Sequence, residues 1–460
     1  MKIVRLLFLL ILLAGCGPRA HSTKWNAILI SLETTRADHL HCYGYPRATS
    51  PHVDQLAQRG AQFDGMMTVS PRTNPSLASL FTSHYPHEHG VRNLILPLAA
   101  SNQTLTEILK GAGFQTYAVQ THPRLNPGSG FAQGFDTYDD DIPKHYRADQ
   151  ACLAAENWIR KASQNNKPWF LWIHIMDPHW IYSPPAPWNT AFGKVDPRTV
   201  QLYQDLSHSR INFGQVIFQN TMPRDEVDSF VNLYDGEIRF TDEALGPLFS
   251  LLSQPEYQDR TVIAFTADHG ESLGEHNYFF EHGDFGTEPE IHIPLILVAP
   301  GKIKAGMRIP QLVRNIDIAP TILELLGVPN PGKMRGSSLL PLLASGGESR
   351  SCFGETGENY FPENTRREVK GIRGKWRWLR ENQYKLVYVP HNNSEEWKLY
   401  DLQKDPGETT DVAAQHPDVT QRMRKLLAAW IAEDKLNLHE EESGLSEEAR
   451  EQLRSLGYTD

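Results

Sequence analysis

"NAILISLETTRADH", residues 26–39, decides how the rest of the chain is read. Its first seven residues are an apolar run bounded by polar ones, the pattern of a strand buried on both faces. An acid, Glu33, follows where that strand would end. Four further runs share this character: "QTYAVQT" (115–121), "WFLWIHI" (169–175), "TVIAFTA" (261–267) and "IPLILVA" (293–299). Helical patterns lie between them. The alternation predicts an α/β fold with a large, parallel-rich sheet covered on both faces. Ligands of such sheets collect outside the carboxyl ends of the strands, so the residues after each run are the candidates for chemistry.

Asp268 and His269 follow the fourth run in "FTADHGE", and His179 follows the third in "MDPHWIY". Taken singly, an acid at a strand end is a cap and a lone histidine is a satisfied polar residue. Ligand-type side chains after three separate strands point instead to one shared site. "PRTNPSLASLFTSHYPHEHG" (71–90) adds Thr73 at the start of a helix with Pro75 in its first turn. Thr73 is then either a helix N-cap or a nucleophile at a helix N-terminus, where exposed N–H groups favour an oxyanion. Glu33, Asp268, His269 and Thr73 together make a mixed oxygen and nitrogen donor set. That set suits one divalent ion, with the histidine favouring Zn²⁺ or Mn²⁺ over an all-oxygen Ca²⁺ cage. Such an ion activates a hydroxyl that is otherwise too weak a nucleophile.

The chain has 460 residues and a net charge of −10, enough for one large core and a smaller appended domain. No basic tract is present to neutralise phosphates, which excludes nucleic acid as a general partner. "MKIVRLLFLLILLAGC" (1–16) reads as a lipoprotein export signal: Lys2 and Arg5, an apolar run too short to span, then Cys16 as the lipidation site. Gly17 after the cysteine favours outer-membrane sorting in a Gram-negative cell. The expectation is a chain anchored in the cell envelope by an N-terminal lipid, with 16–24 as the anchor linker. Cys42, Cys152 and Cys352 remain, permitting at most one disulfide whose pair the sequence does not select.

A catalytic domain is expected over 25–345, closing in the small and polar stretch "LLASGGESRS" (342–351). A smaller α+β domain follows over 346–435. Its strands are "YKLVYV" (384–389) and "WKLYDL" (397–402), and Asp418 caps a helix carrying Val419, Met423, Leu426, Leu427, Trp430 and Ile431 at helical spacing. Residues 436–460 form an acidic tail ending in a short helix.

Five motifs carry a resemblance to a known family. They are "ETTRADHLHCYGYPRATSPHVDQLAQRGAQFD" (33–64), "TNPSLASLFTSHYPHEHGV" (73–91), "DPHWIYSPP" (177–185), "TADHGESLGEHNYFFEHG" (266–283) and "WKLYDLQKDPGETTD" (397–411). From Asn26 to Tyr458 the chain resembles the sulfatase family of the alkaline phosphatase superfamily. The resemblance implies that family's sandwich, with a large mixed, mostly parallel sheet and a smaller C-terminal domain. It also implies one divalent ion (Ca²⁺, Mn²⁺ or Zn²⁺) on Glu33, Asp268 and His269, and Thr73 at the nucleophile position. His179 and His282 fall where the family contacts the anion or protonates the leaving oxygen, and His122 in "VQTHPRL" (119–125) falls on a further anion contact. Glu275 and His276 take a supporting role.

The chain departs from the family pattern in three places. Glu33 replaces the usual Asp, Leu77 replaces the signature Arg (Arg72 or Arg36 being the substitutes at hand), and Thr73 replaces the Cys or Ser that matures to formylglycine. A formylglycine hydrate has two hydroxyls, one to attack and one to expel sulfate; threonine has one. The expected activity is therefore hydrolysis of sulfate or phosphate/phosphonate esters of a small molecule, glycan or lipid through a covalent Thr73 intermediate. The alternatives are a phospho-group transferase of the envelope and an inactive binding lipoprotein. Trp180, Tyr182 and Tyr278 are placed either to stack on a sugar or aryl group or to pack.

Overall fold

The run at 26–32 is a strand in which every residue is buried. Its backbone groups find no water, so they need partners on both edges. The runs at 169–175 and 261–267 supply them, in parallel register. The computed structural model describes residues 25–140, 147–207, 222–356, 375–390 and 394–434; Cys16 and the 436–460 tail lie outside the described residues.

In chain order the first ten strands are β1 (Asn26–Leu32), β2 (Ala61–Met67), β3 (Gln115–Gln120), β4 (Thr137–Asp139), β5 (Trp169–Ile175), β6 (Thr261–Ala267), β7 (Ser272–Leu273), β8 (Phe279–Glu281), β9 (Leu295–Val298) and β10 (Met307–Arg314). Eight of them form one sheet in the order β10-β2-β9-β6-β1-β5-β3-β4, while β7 and β8 pair as a separate hairpin. Only β9 runs against its neighbours, so the sheet is mixed and mostly parallel, as expected.

Alternating residues of the central strands feed two cores. Ile28, Ile30, Leu171 and Ile173 pack against α2 (Ala148–Ala162) and α3 (Arg224–Leu252). Ala27, Leu29 and Trp172 face the other way, against α1 (Thr73–Thr82) and α4 (Ile318–Leu326). Leu77, Leu80 and Phe81 of α1 are buried in that second core, each contributing about 2 kcal/mol. They fix the height at which the N-terminus of α1 meets the sheet. Leu77, at the position of the family's arginine, is thus part of the core.

A second, antiparallel sheet holds β11 (Cys352–Glu355), β12 (Arg377–Glu381), β13 (Tyr384–Pro390) and β14 (Glu395–Asp401) in that order. One face takes Met423, Leu427 and Trp430 of α5 (Pro417–Ile431), and the other meets Met67, Ile291 and Leu312 of the larger body. The expected cap of α5 is corrected: His416 precedes the helix and Asp418 lies in its first turn, because Pro417 occupies the first helical position. Cys42, Cys152 and Cys352 are all free.

The two bodies are also joined by buried charge. The Arg92 guanidinium donates to both oxygens of Glu355 (2.9 and 2.7 Å) and to both of Asp434 (3.0 and 2.7 Å). Burial raises the Glu355 carboxyl, but the charges of Arg92, Lys375 and Arg377 outweigh it and hold the group well below the usual carboxylate range. Its stabilising effect is therefore full above the unfolded value of about 4.3 and is lost as pH falls below it. Glu355→Gln should destabilise the protein at neutral pH by about 3–5 kcal/mol, because Arg92 keeps its charge and loses a bidentate partner. The variant should then lose less stability than wild type on acidification from about pH 5 to 3, the window below the unfolded value. Parallel acid profiles of thermal midpoint for the two proteins would refute this account.

Candidate active site

Four neighbouring strands, β6-β1-β5-β3, deliver the predicted residues to one edge of the sheet. Glu33 follows β1, Asp268 and His269 follow β6, His179 lies in the loop after β5, and His122 follows β3. His282 enters from the end of β8, and Thr73 from the first turn of α1. Thr34 holds the β1 turn in an uncommon positive φ of 45°. It is pinned there by its N–H, which donates to Asp268 Oδ1 at 3.2 Å, and by Tyr234, whose hydroxyl donates to its carbonyl at 2.7 Å.

Thr73 is the first residue of α1, and Arg72 precedes it without a side-chain cap bond. The Thr73 hydroxyl turns away from the helix and donates to Glu33 Oε1 at 2.6 Å, with His269 Nε2 at 3.4 Å. The N-cap reading assigned that oxygen a backbone partner. The structure gives it a carboxylate.

One ligand atom each from Glu33, Asp268 and His269 lies within 4.8 Å of the others, and all three residues are fully buried. Among the described residues Asp268 Oδ2 has no hydrogen-bond donor, and His269 Nε2 lies 3.3 Å from it. A buried acceptor without a donor is a costly arrangement that a cation resolves. His269 Nδ1 donates to the Gly270 carbonyl at 2.9 Å, which leaves Nε2 as a lone pair directed into the cluster when the ring is neutral. Two carboxylates and such an imidazole fit one divalent ion. The charges say the same: burial lowers the His269 pKa, yet Asp268 and Glu33 overcome it and push the ring up to about 9.

The remaining histidines form an arc around this cluster. Ring centroids are 4.2 Å apart for His269 and His282, 5.5 Å for His282 and His179, and 6.3 Å for His179 and His122. His282 Nδ1 is paired with Glu271 Oε1 at 2.8 Å, and the Tyr182 hydroxyl donates to the other Glu271 oxygen at 3.0 Å. His179 Nδ1 donates to the Trp180 carbonyl. His122 Nδ1 accepts from the Arg124 backbone N–H at 3.1 Å, and burial pushes its pKa down to about 3. In each ring Nδ1 is held by the protein, so Nε2 is the nitrogen that remains for an anion or a proton.

The arginines are placed differently from the sequence expectation of an anion contact. Arg72 is buried against Glu281 (3.4 Å) and Asp284 (3.5 Å). Arg36 pairs with Asp38 and with Glu275, which gives Glu275 its supporting place behind the β1 turn. Trp180, Tyr182 and Tyr278 are buried. Trp180 stacks on Phe280 at 5.1 Å, so these aromatics pack.

Three residues escaped the sequence reading. Glu271 holds His282, Ser31 lies on β1, and His174 of β5 touches Glu33 Oε2 through Nε2 at 2.8 Å. The signal for His174 and Ser31 was present as polar side chains inside strands otherwise apolar and buried.

Residues 25–328 match the family described as Sulfatase, and residues 274–433 match the family described as N-sulphoglucosamine sulphohydrolase, C-terminal. The chain belongs to the sulfatase family. It is 25% identical to an N-acetylglucosamine-6-O-sulfatase of Bacteroides thetaiotaomicron, covering 87% of this chain and 85% of that one. It is also 25% identical to arylsulfatase K of Homo sapiens, covering 83% and 77%. Among solved structures, a protein bound to its substrate D-glucosamine-2-N,6-O-disulfate superposes with a TM-score of 0.73 at 21% identity, over 90% of this chain and 99% of that one. The phosphonate monoester hydrolase of Agrobacterium radiobacter superposes at 0.71 with 23% identity, over 89% and 96%. This sulfatase-family hydrolase therefore shares its fold, over about nine-tenths of the chain, with both of these proteins.

Proposed function

We propose that this protein is a metal-dependent hydrolase of phosphate or phosphonate esters, with sulfate esters as weaker substrates, and that Thr73 is its nucleophile. The observation that carries the reading is the Thr73 hydroxyl, which lies 2.6 Å from Glu33 Oε1 and at the N-terminus of a helix. Glu33, Asp268 and His269 would hold the divalent ion, which when bound supplies Lewis acidity for the hydroxyl and the ester oxygens.

The chain's own residues account for the rest. Glu33 accepts the Thr73 hydrogen bond and orients the oxygen for attack. The N–H groups at the start of α1 face the charge that develops on the central atom's oxygens. His122 is uncharged at neutral pH and, with Nδ1 occupied, offers Nε2–H to the same oxygens. Burial lowers the pKa of both His179 and His282, so each ring is neutral with its hydrogen on Nδ1. Nε2 of one of them takes the proton that Thr73 Oγ1 gives up on attack and passes it to the departing alcohol oxygen as its bond to the central atom breaks. Water then attacks the central atom and gives a proton to the same Nε2, the bond to Thr73 Oγ1 breaks, and that proton passes to Oγ1 to restore the hydroxyl. With one hydroxyl, Thr73 has no second oxygen to expel the group by C–O cleavage, so release must occur at phosphorus or sulfur. Displacement by water is well suited to phosphoryl groups, which sets the order of substrates.

The test is a parallel assay of an aryl sulfate, a phosphate monoester, a phosphate diester and a phosphonate monoester on metal-loaded protein. One of the phosphorus esters should give the highest kcat/KM, by at least about tenfold over the sulfate, equivalent to about 1.4 kcal/mol. A sulfate ester leading the series would overturn the preference. The reading extends to the cell envelope through the Cys16 motif, and Cys16→Ala should move the protein from the membrane to the soluble fraction. Equal partitioning of the two proteins would remove the anchor.

A further inference from the structure

Glu33 uses its two carboxylate oxygens in opposite directions. Oε1 receives the Thr73 hydroxyl, and Oε2 is 2.8 Å from His174 Nε2. His174 and Ser31 are register partners on the parallel pair β5 and β1, and both are fully buried. Ser31 Oγ lies 2.9 Å from His174 Nδ1 and accepts from the Trp172 indole N–H at 2.9 Å. Trp172, His174, Ser31 and Glu33 all sit on the sheet face that α1 covers, because alternate residues of a strand share a face.

The direction of every bond in this chain follows from donor inventory. An indole N–H only donates, so Ser31 Oγ accepts from Trp172. At the other end Glu33 Oε2, a carboxylate oxygen, only accepts, so the hydrogen of the neutral His174 ring is on Nε2, and Nδ1 is the acceptor of the single Ser31 hydrogen. The relay thus selects one histidine tautomer and commits one oxygen of Glu33. It also gives the longer side chain a purpose. An aspartate on the same backbone would draw its carboxylate back by about one carbon–carbon bond, roughly 1.5 Å, and would lose either His174 or Thr73.

We propose that Trp172, Ser31 and His174 form a positioning relay that reserves Glu33 Oε2, presents Glu33 to a divalent ion through Oε1 alone, and so biases the site toward Mn²⁺ or Zn²⁺ over Ca²⁺. The inference rests on the reading that Glu33, Asp268 and His269 hold the ion. Ca²⁺ takes about 6–8 oxygen ligands and readily uses both oxygens of a carboxylate. A Glu33 that offers one oxygen, beside an imidazole, removes one such donor. Freeing Oε2 should return it.

The experiment is calorimetric titration of metal-stripped wild type, His174→Leu, His174→Gln and Ser31→Ala with Mn²⁺, Zn²⁺ and Ca²⁺ separately. Wild type should prefer Mn²⁺ or Zn²⁺. His174→Leu should weaken the preferred ion by about 10–100-fold and narrow its advantage over Ca²⁺ by at least about tenfold, since Ca²⁺ gains an oxygen as the others lose orientation. His174→Gln keeps an N–H donor for Oε2 and should restore the wild-type ratio. Ser31→Ala, which takes away the bond that holds the ring at Nδ1, should move the ratio in the direction of the leucine variant. A purely structural His174 would lower stability and weaken all three ions alike, and an unchanged ratio in His174→Leu overturns the relay. If the leucine variant fails to fold, a wild-type ratio in Ser31→Ala overturns it instead. Wild type that binds none of the three ions stoichiometrically overturns the metal reading itself, and the relay with it.

Discussion

Thr73→Ala is expected to lower kcat by at least about 10³-fold, the scale on which loss of a covalent nucleophile is felt. The thermal midpoint should move little by comparison. Thr73 does not cap α1, and its hydroxyl donates one bond, to Glu33, with a longer contact to His269. Loss of such a bond costs about 0.5–1.5 kcal/mol, rising toward about 3 kcal/mol for a charged partner. Leu77, Leu80 and Phe81 keep the helix docked. Thr73→Ser preserves the attacking oxygen and should remain within about tenfold of wild type, a difference of about 1.4 kcal/mol in the barrier.

Two further variants separate chemistry from structure. Thr73→Cys, matured by a formylglycine-generating enzyme, regains a second hydroxyl and should shift preference toward sulfate esters. Rapid quenching of wild type with a phosphate ester should trap phosphothreonine at residue 73. An alanine variant as active as wild type would take Thr73 out of the mechanism. Transfer of the trapped group to an added alcohol faster than to water would make the enzyme a transferase built on the same first step.

The parts of the fold that the sequence displayed are those whose environment is uniform. β1, β5 and β6 are buried on both faces, so they read as unbroken apolar runs. β2 and β10 were not read as strands, and the reason is local. β2 carries Asp64 and Gly65, while β10 lies at the sheet edge with Pro310 and Gln311 at a register shift between Ile309 and Leu312. Proline is tolerated there because an edge strand leaves one row of N–H groups unpaired. β11 is only four residues long, its Glu355 meeting Arg92 of the larger body, and β12 is rich in charge, its Arg377 meeting Asp434 after the helix of the smaller one.

The site was legible to the same degree and for the same reason. Glu33, Asp268 and His269 stand at strand ends, where sequence position implies convergence, and the structure brings them together with Thr73. His174 was hidden because an apolar run masks the one polar residue that its burial makes important. Arg72 looked available for an anion because sequence does not show Glu281 and Asp284 closing around it.

Asp268→Asn should change metal-loaded and metal-free protein in opposite directions. With the ion, the variant loses one of two carboxylates in a fully buried cluster, and affinity should fall by more than about 100-fold, beyond the cost of disturbing an outer partner. At an ion concentration of about 100 times the wild-type Kd, wild type gains about 2.7 kcal/mol from binding, and the variant should forfeit most of it. Without the ion the balance reverses. The asparagine oxygen still accepts from the Thr34 and His269 N–H groups, now held by Asp268 Oδ1 at 3.2 and 2.7 Å. The amide group takes the place of Oδ2, which has no donor among the described residues and whose charge is disfavoured by burial and then by Glu33, so that the Asp268 carboxyl is raised well above its ordinary pKa. One buried like-charge neighbour of Glu33 disappears as well. Relief of an unsatisfied buried acceptor is worth about 1–3 kcal/mol, so the stripped variant should melt above stripped wild type. Differential scanning calorimetry of both proteins, with and without the ion, reads the two signs directly. A variant that is less stable in both states would mean that Asp268 is a structural residue, and that the cluster's charge is not arranged for a cation.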